Sequence, residues 1–232
     1  MSVALITGGS AGLGRALTLA LTDRGWTVVT DGRSADRLAR LGSERVAAVT
    51  GDINVFEHRA RLAEQVERIG RLDLLVHNAS TLGPLPLRPL LLLSAAELEE
   101  VWRINVAAPL ALTQLLLPRL VASAGILMTI SSDAALEHYK TWGAYGASKA
   151  AADHLTLTIA AEEGLLGYAF DPGDMRTQMQ ADAFPGEDIS DRPLPETVVP
   201  KLITLLRDRP PSGRYRAVDL EAGDPRHVTA EA

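Results

Sequence analysis

Short apolar runs alternate along the chain with stretches whose apolar residues recur every three or four positions. Val3–Thr7 is continuously apolar and predicts a buried strand; Leu13, Ala16, Leu17, Ala20 and Leu21 follow at helical spacing, with Gly25 as a stop. Trp26–Thr30 predicts a second strand, and Ser34 an N-cap for a short helix carrying Leu38 and Leu41. A third strand is expected over Arg45–Thr50, a helix over Glu57–Ile69 with Leu62, Val66 and Ile69 on one face, and a fourth strand over Leu72–His77. Ser94 opens a long helical pattern that runs to about Pro118. Gly125–Ser131 then reads as a fifth strand, Ala144–Gly164 as an Ala-rich helix and Leu166–Phe170 as a sixth strand. From Asp171 to Pro195 the pattern fails in polar, Pro-containing sequence; Glu196–Asp208 restores a helix and Arg214–Leu220 a last strand.

Strand–helix alternation of this kind predicts parallel strands joined by right-handed crossovers, with helices on both faces. The expected fold is α/β, one doubly wound parallel sheet of about seven strands over residues 1–220, with a flexible tail at 221–232. Composition narrows the chemistry. The chain has no cysteine, so thiol nucleophiles, disulfides and thiolate metal sites are excluded, and no His/Asp/Glu spacing suggests a metal site. A net charge of −6 argues against a dedicated nucleic-acid or anionic-membrane binder. The apolar stretch around Leu82–Leu93 is cut by three prolines and Arg88, and the N-terminus lacks a secretory pattern, so a cytoplasmic protein with no membrane segment is expected.

Thr7-Gly8-Gly9-Ser10-Ala11-Gly12-Leu13-Gly14 joins the first strand to the first helix. Gly8, Gly12 and Gly14 permit a tight turn, close approach of a pyrophosphate and close helix–strand packing, while the helix start offers free N–H groups, including those of Ser10 and Leu13, to phosphate. Tyr145 and Lys149 lie four apart on a predicted helix and so share a face. Ser132, thirteen residues before Tyr145, falls at the carboxyl end of the fifth strand, where open parallel sheets bind ligands.

The Thr-Gly-x-x-x-Gly-x-Gly spacing, the Ser132/Tyr145/Lys149 set and Gly-Ala-Ser-Lys-Ala-Ala around Lys149 together resemble the short-chain dehydrogenase/reductase family, classical type, with its Rossmann-like fold. The resemblance implies an oxidoreductase in which Tyr145 is the general acid/base, Lys149 lowers its pKa and holds the nicotinamide ribose, Ser132 steadies the substrate oxygen, and Asn105 completes a proton relay. Asp52 and Ile53 would contact adenine, and Asn78 and Ala79, within His77-Asn78-Ala79-Ser80, would shape the adenine-ribose wall. Pro172, Gly173 and Thr177 would turn under the nicotinamide and bind its carboxamide. His77 departs from the family motif and reads as a buried strand residue.

After the second strand the chain reads Thr30-Asp31-Gly32-Arg33-Ser34. Glycine stands where NAD-preferring relatives place an aspartate, and Arg33 suits a 2′-phosphate through charge-assisted bonds, so NADP(H) is expected over NAD(H). Asp31 and Ala11 point the other way. For substrate, Leu82, His138, Trp142, Met175 and Met179, together with Ser132, predict a mainly apolar pocket for a ketone, aldehyde or secondary alcohol, with residues 174–195 as a lid. The alternatives are an NAD(H)-linked enzyme, a dehydratase or epimerase step on the same fold, and a non-catalytic dinucleotide sensor. The apolar helices Ser94–Pro118 and Ala144–Gly164 predict a homodimer or homotetramer.

Overall fold

The computed structural model describes residues 1–222; most of the expected tail lies outside the described residues. Seven parallel strands form one sheet in the order β3-β2-β1-β4-β5-β6-β7. These are β1 Val3–Ile6, β2 Thr27–Gly32, β3 Val46–Thr50, β4 Leu74–His77, β5 Ile126–Ile130, β6 Leu166–Asp171 and β7 Gly213–Arg216. The helices are α1 Gly12–Thr22, α2 Ala35–Ala39, α3 Phe56–Ile69, α4 Ala95–Trp102, α5 Ala108–Ala122, α6 Gly143–Glu163, α7 Gln178–Ala183 and α8 Pro195–Asp208.

Alternation along each strand divides the core. Ala4, Ile6, Leu74, Val76 and Met128 pack on one side with Leu17 of α1 and Leu202 of α8. Leu5, Leu75 and Leu127 face the other way, onto Leu62 and Val66 of α3 and Leu112 and Leu116 of α5. Because both faces are covered, the central strands are apolar on both faces up to their carboxyl ends, where Thr129 and His77 stand, rather than alternating. Helix ends follow local chemistry. Ser34 accepts from the Arg37 N–H, Ser94 and Glu97 form a reciprocal capping box, and Gly70 and Gly164 end α3 and α6 in the left-handed region.

Four elements differ from expectation. Strand β2 runs to Gly32, which brings Asp31 and Gly32 into the sheet opposite Val49 and Thr50. The long helix from Ser94 is two α-helices joined by a π turn at Arg103–Ala107, and it continues past Pro118 to Ala122. Proline there forfeits a single N–H late in the helix, too little to end it. Residues 95–122 are long and apolar enough by length and composition to cross a membrane, unlike the proline-cut stretch 82–93; here Leu112, Leu116 and Leu120 pack them on the sheet. The last strand stops at Arg216, where a single 3₁₀ turn, Ala217–Asp219, takes over, and α7 interrupts the stretch expected to be irregular.

His77, the last residue of β4, is buried, with Nε2 2.7 Å from the Thr113 hydroxyl and Nδ1 without a protein partner. Burial pushes its pKa from 6.5 down to about 3. Between those two values the unfolded chain takes up a proton that the folded chain refuses, so stability falls as pH drops below 6.5. The slope is at most about 1.4 kcal/mol per pH unit. In His77→Asn the slope is lost: urea midpoints measured from neutrality to about pH 5 fall less steeply in the variant than in the wild type.

Candidate active site

A cleft of about 580 Å³ runs along the carboxyl ends of β1, β2, β4, β5 and β6. It lies over the β1–β4 boundary, where the strand order reverses and crevices in doubly wound sheets open. The glycine loop forms its floor. Gly8 and Gly12 take positive φ (70° and 53°), a region that side-chain-bearing residues avoid. Ala11 offers α1 no side-chain cap, so the first-turn N–H groups of the helix are left to a ligand. Gly14 does not line the cleft. A methyl there would stand 2.6 Å from the Gly8 carbonyl and overlap the Asn78 amide, so this glycine lets helix and loop meet. Asn78 ties the loop to β4, its Nδ2 donating to the Thr7 carbonyl at 2.8 Å, while the Thr7 hydroxyl accepts from the Asn78 and Ala79 N–H groups, each at 3.0 Å.

At one end the cleft is bounded by Ser10, Gly32, Arg33, Arg37, Asp52 and Ile53. A Cβ on Gly32 would lie 2.5 Å from the Ser10 hydroxyl oxygen and 2.7 Å from Ser10 Cβ, so a larger side chain at this position requires Ser10 to move. Asp31 is only 2% exposed and engaged on both oxygens: Oδ1 accepts from the Gly8 N–H at 2.7 Å, and Oδ2 lies 2.8 Å from His58 Nε2. Its carboxylate is therefore committed to the glycine loop. Asp52 accepts from the Asn54 N–H at 2.9 Å and keeps one oxygen free at the cleft wall; Val55, not Asp52, is the N-cap of α3.

At the other end, Ser132, Tyr145 and Lys149 converge. Lys149 is buried, its ammonium donating to the Ile130 carbonyl at 2.8 Å and standing 5.5 Å from the centre of the Tyr145 ring. Burial pulls its pKa from 10.5 to about 8, against the opposing field of Asp153. Burial pushes the Tyr145 phenol well above its ordinary value; a hydrogen bond with Ser132 works in the opposite direction, and the carboxylates of Asp133, Asp171 and Asp153 add to the rise. In the protein alone the pair is thus an un-ionised phenol beside an ammonium. Such a phenol can donate a proton to an oxygen on which charge develops, and Ser132 can donate a second hydrogen bond to the same oxygen.

Asn105 sits behind this group, in the π turn between α4 and α5. Its Oδ1 accepts from the Thr81 N–H at 2.9 Å and from the Ser80 hydroxyl at 3.2 Å; its Nδ2 donates to the Thr81 carbonyl and the Ser148 hydroxyl, each at 2.9 Å. Ser148 in turn donates to the Tyr145 carbonyl at 2.7 Å. Asn105 therefore fastens α6 to the loop after β4, with its side chain outside the cleft.

Of the remaining expected residues, Ala79, Leu82, Trp142, Pro172, Gly173, Met175, Thr177 and Met179 line the cleft. Trp142 stands edge-on to Tyr145, ring centres 5.6 Å apart. Thr177 caps α7, and its methyl lies across from Gly12. His138 does not join them: it is exposed in the segment after β5, away from the lining. Thr81, Gln178 and Gln180 line the cleft too, the last two within the stretch 174–195 expected as a lid, and so does Arg37, which the motifs do not mark out. For Arg37 the signal was available, since Ser34 at the N-cap puts Arg37 one turn into α2 beside Arg33.

The glycine floor, the uncapped start of α1 and the length of the cleft fit a dinucleotide, as do Arg33 at one end and Lys149 at the other. Comparison with known proteins agrees. The family model for short chain dehydrogenases matches residues 2–188. The uncharacterized oxidoreductase YciK of Escherichia coli K12 is 33% identical over 220 residues, covering 89% of this chain and 86% of that protein. Mouse sepiapterin reductase is 34% identical over 201 residues, 77% of this chain and 76% of the relative. Among solved structures, a short chain dehydrogenase from Shigella flexneri complexed with NADP superposes with a TM-score of 0.86 at 31% identity, covering 94% of this chain and 97% of that one. Another, from Escherichia coli CFT073 and complexed with NADPH, gives 0.85 at 30% identity, with 93% and 96% covered. With its sheet order, glycine loop and Ser–Tyr–Lys cluster, the chain belongs to the short-chain dehydrogenase/reductase family of oxidoreductases.

Proposed function

We propose that the protein is an NADP(H)-dependent carbonyl reductase/alcohol dehydrogenase, acting between a ketone and its secondary alcohol with Tyr145 as general acid/base. The observation that carries this reading is the convergence of Ser132, Tyr145 and the buried Lys149 at one end of a dinucleotide-sized cleft. When bound, the nicotinamide supplies or accepts the hydride. In reduction the carbonyl oxygen gains negative charge, and the Tyr145 hydroxyl donates its proton there while Ser132 donates a hydrogen bond. Lys149 makes the resulting phenolate less costly and, facing the cleft, would hold the ribose hydroxyls of a bound coenzyme. Asn105, through Ser148 and the main chain of Thr81, keeps α6 in register for that proton transfer.

Four features favour NADP(H). Gly32 leaves no room for a ribose-binding carboxylate beside Ser10, and Asp31 is occupied by Gly8 and His58. Arg33 and Arg37 edge the same end, with no ion pair to either guanidinium among the described residues. The two similar structures named above contain NADP and NADPH. Asp52 and Ile53, at that end of the cleft, would then hold the adenine, and Thr177 the carboxamide. Around the reacting end, Leu82, Trp142, Met175 and Met179 favour an uncharged, mainly apolar ketone or aldehyde, and the segment 174–195 covers it as a lid. The outer faces of α4, α5 and α6, with Trp102, Leu115 and Val121 exposed, favour a homodimer or homotetramer.

A screen of ketones, aldehydes and secondary alcohols with both coenzymes, followed by absorbance of the reduced nicotinamide, tests the activity. Tyr145→Phe lowers kcat by about 10²-fold or more with NADPH binding retained. For reduction by the wild type, kcat/KM falls as pH rises through about 8, where Lys149 loses its proton. Full activity in Tyr145→Phe would sink the assignment.

Coenzyme choice is read from Arg33→Asp. It weakens NADPH by about tenfold or more and changes NADH little, because a charge-assisted contact to phosphate is worth roughly 1.5–3 kcal/mol. A wild-type preference for NADH would overturn the choice. Light scattering at micromolar protein is expected to give a mass of two or four chains; a monomer counts against assembly.

A further inference from the structure

We propose that Arg214, on the edge strand β7, is a positioning residue for the nicotinamide end of the cleft, fixing the backbone at Ser132 and the turn Asp171–Gly173 relative to each other. The proposal rests on reading the cleft as a coenzyme site. Its contacts are to main chain and carboxylates, not to the reacting hydroxyl groups of Ser132 and Tyr145. One guanidinium nitrogen, NH2, donates to the Ser132 carbonyl at 2.8 Å and to Asp171 Oδ2 at 2.9 Å, while Nε stands 3.4 Å from Asp153 Oδ2. Three segments that carry the site therefore meet on one side chain.

Each contact has a consequence for the cleft. The ladder between β5 and β6 ends at Ile130, so the Ser132 carbonyl lies beyond the last strand pairing; it accepts from the Ala135 N–H at 3.0 Å within its own turn, and Arg214 is what ties it to the neighbouring strand edge. Asp171 uses its second oxygen, Oδ1, to accept from the Gly173 N–H at 3.0 Å, which holds the Pro172–Gly173 turn that lines the cleft. Asp153 lies one helical turn beyond Lys149 on α6 and accepts from the Ser131 hydroxyl at 2.6 Å. Arg214 thus joins the strand end before Ser132, the turn after β6 and the helix that bears Tyr145 and Lys149.

The burial of this group separates it from ordinary surface pairing. The Arg214 side chain is 17% exposed, with Asp153 at 11% and Asp171 at 5%. Desolvating three charges is costly unless their geometry offsets it, and removing one member leaves uncompensated charge inside. Two residues along, Arg216 pairs with Asp219 in the open, where an ion pair contributes little. The same short strand therefore carries one solvated arginine and one committed to the floor of the site. A planar guanidinium can hold a carbonyl and a carboxylate in fixed directions; an ammonium cannot reproduce that fork.

The experiment compares two probes by isothermal titration calorimetry, which reads binding at either end of the cleft. NADPH spans the whole cleft, whereas adenosine 2′,5′-bisphosphate reaches only the end at Arg33. In Arg214→Gln the Kd for NADPH is expected to rise about tenfold, and that for the bisphosphate to stay within about twofold. Arg214→Lys gives an intermediate loss. Asp171→Asn, which weakens the hold on the same turn, reproduces the contrast should Arg214→Gln fail to fold. Unchanged NADPH affinity, or equal weakening of both probes, would overturn the proposal, the second because it marks a residue that merely supports the fold. A wild type that binds neither probe would sink the coenzyme reading itself, a result distinct from lost contrast in the variants.

Discussion

Keeping a lysine ammonium almost wholly out of water is the constraint on which the reacting end of the cleft depends. Lys149 is 5% exposed, and a cation so placed requires compensation from fixed dipoles and charges. The compensation comes from the Ile130 carbonyl at the end of β5, the Asp153 carboxylate one turn along α6, and the face of the Tyr145 ring. Each fixes something else. The Ile130 contact sets the distance of α6 from the sheet. The turn after β5 presses equally close, so that a side chain at Gly146 would overlap the Ala134 carbonyl. Asp153 in turn needs Ser131 and Arg214, and so draws in the strand end and the sheet edge.

The opposite end of the cleft is organised by subtraction. Gly32 and Ser10 fill the space that a carboxylate would need, and Asp31, the one acid nearby on β2, is spent on the Gly8 N–H and His58. With Asp31 withdrawn, the two guanidinium groups of Arg33 and Arg37 outnumber the one open carboxylate, Asp52, at that end of a chain whose net charge is −6. Local potential, not overall charge, governs what a cleft attracts.

What could be read in the sequence was local. The strands showed as apolar runs, and the glycine loop showed because turn, helix start and spacing fall within eight residues. Tyr145 and Lys149 were visible because one helical turn separates them. The features that were missed join distant residues: Asp31 with His58 across 27 positions, and Ser132 with Arg214 across 82. Nothing in the pattern near Arg214 distinguishes it from Arg216, since both sit in one four-residue strand and only the surrounding fold gives them different partners. The π turn at Asn105 was hidden for another reason. It adds a residue to a helix without altering its apolar character, and the sequence therefore reads as one uninterrupted helix. His138 failed in the converse way, near the site in sequence but turned out to solvent.

Strand β7 has a single neighbour, β6, and only four residues. A short edge strand is where a sheet opens at the least expense, so its amides exchange with solvent ahead of those in β1 or β4. Here that pliable margin is joined through one side chain to the best-packed part of the molecule. Mass action then runs in both directions: whatever occupies the cleft and favours the arrangement of Ser132 and Asp171 that Arg214 holds also steadies the margin. The slow breathing of an outer strand becomes a gauge of occupancy at a site that begins one strand inward.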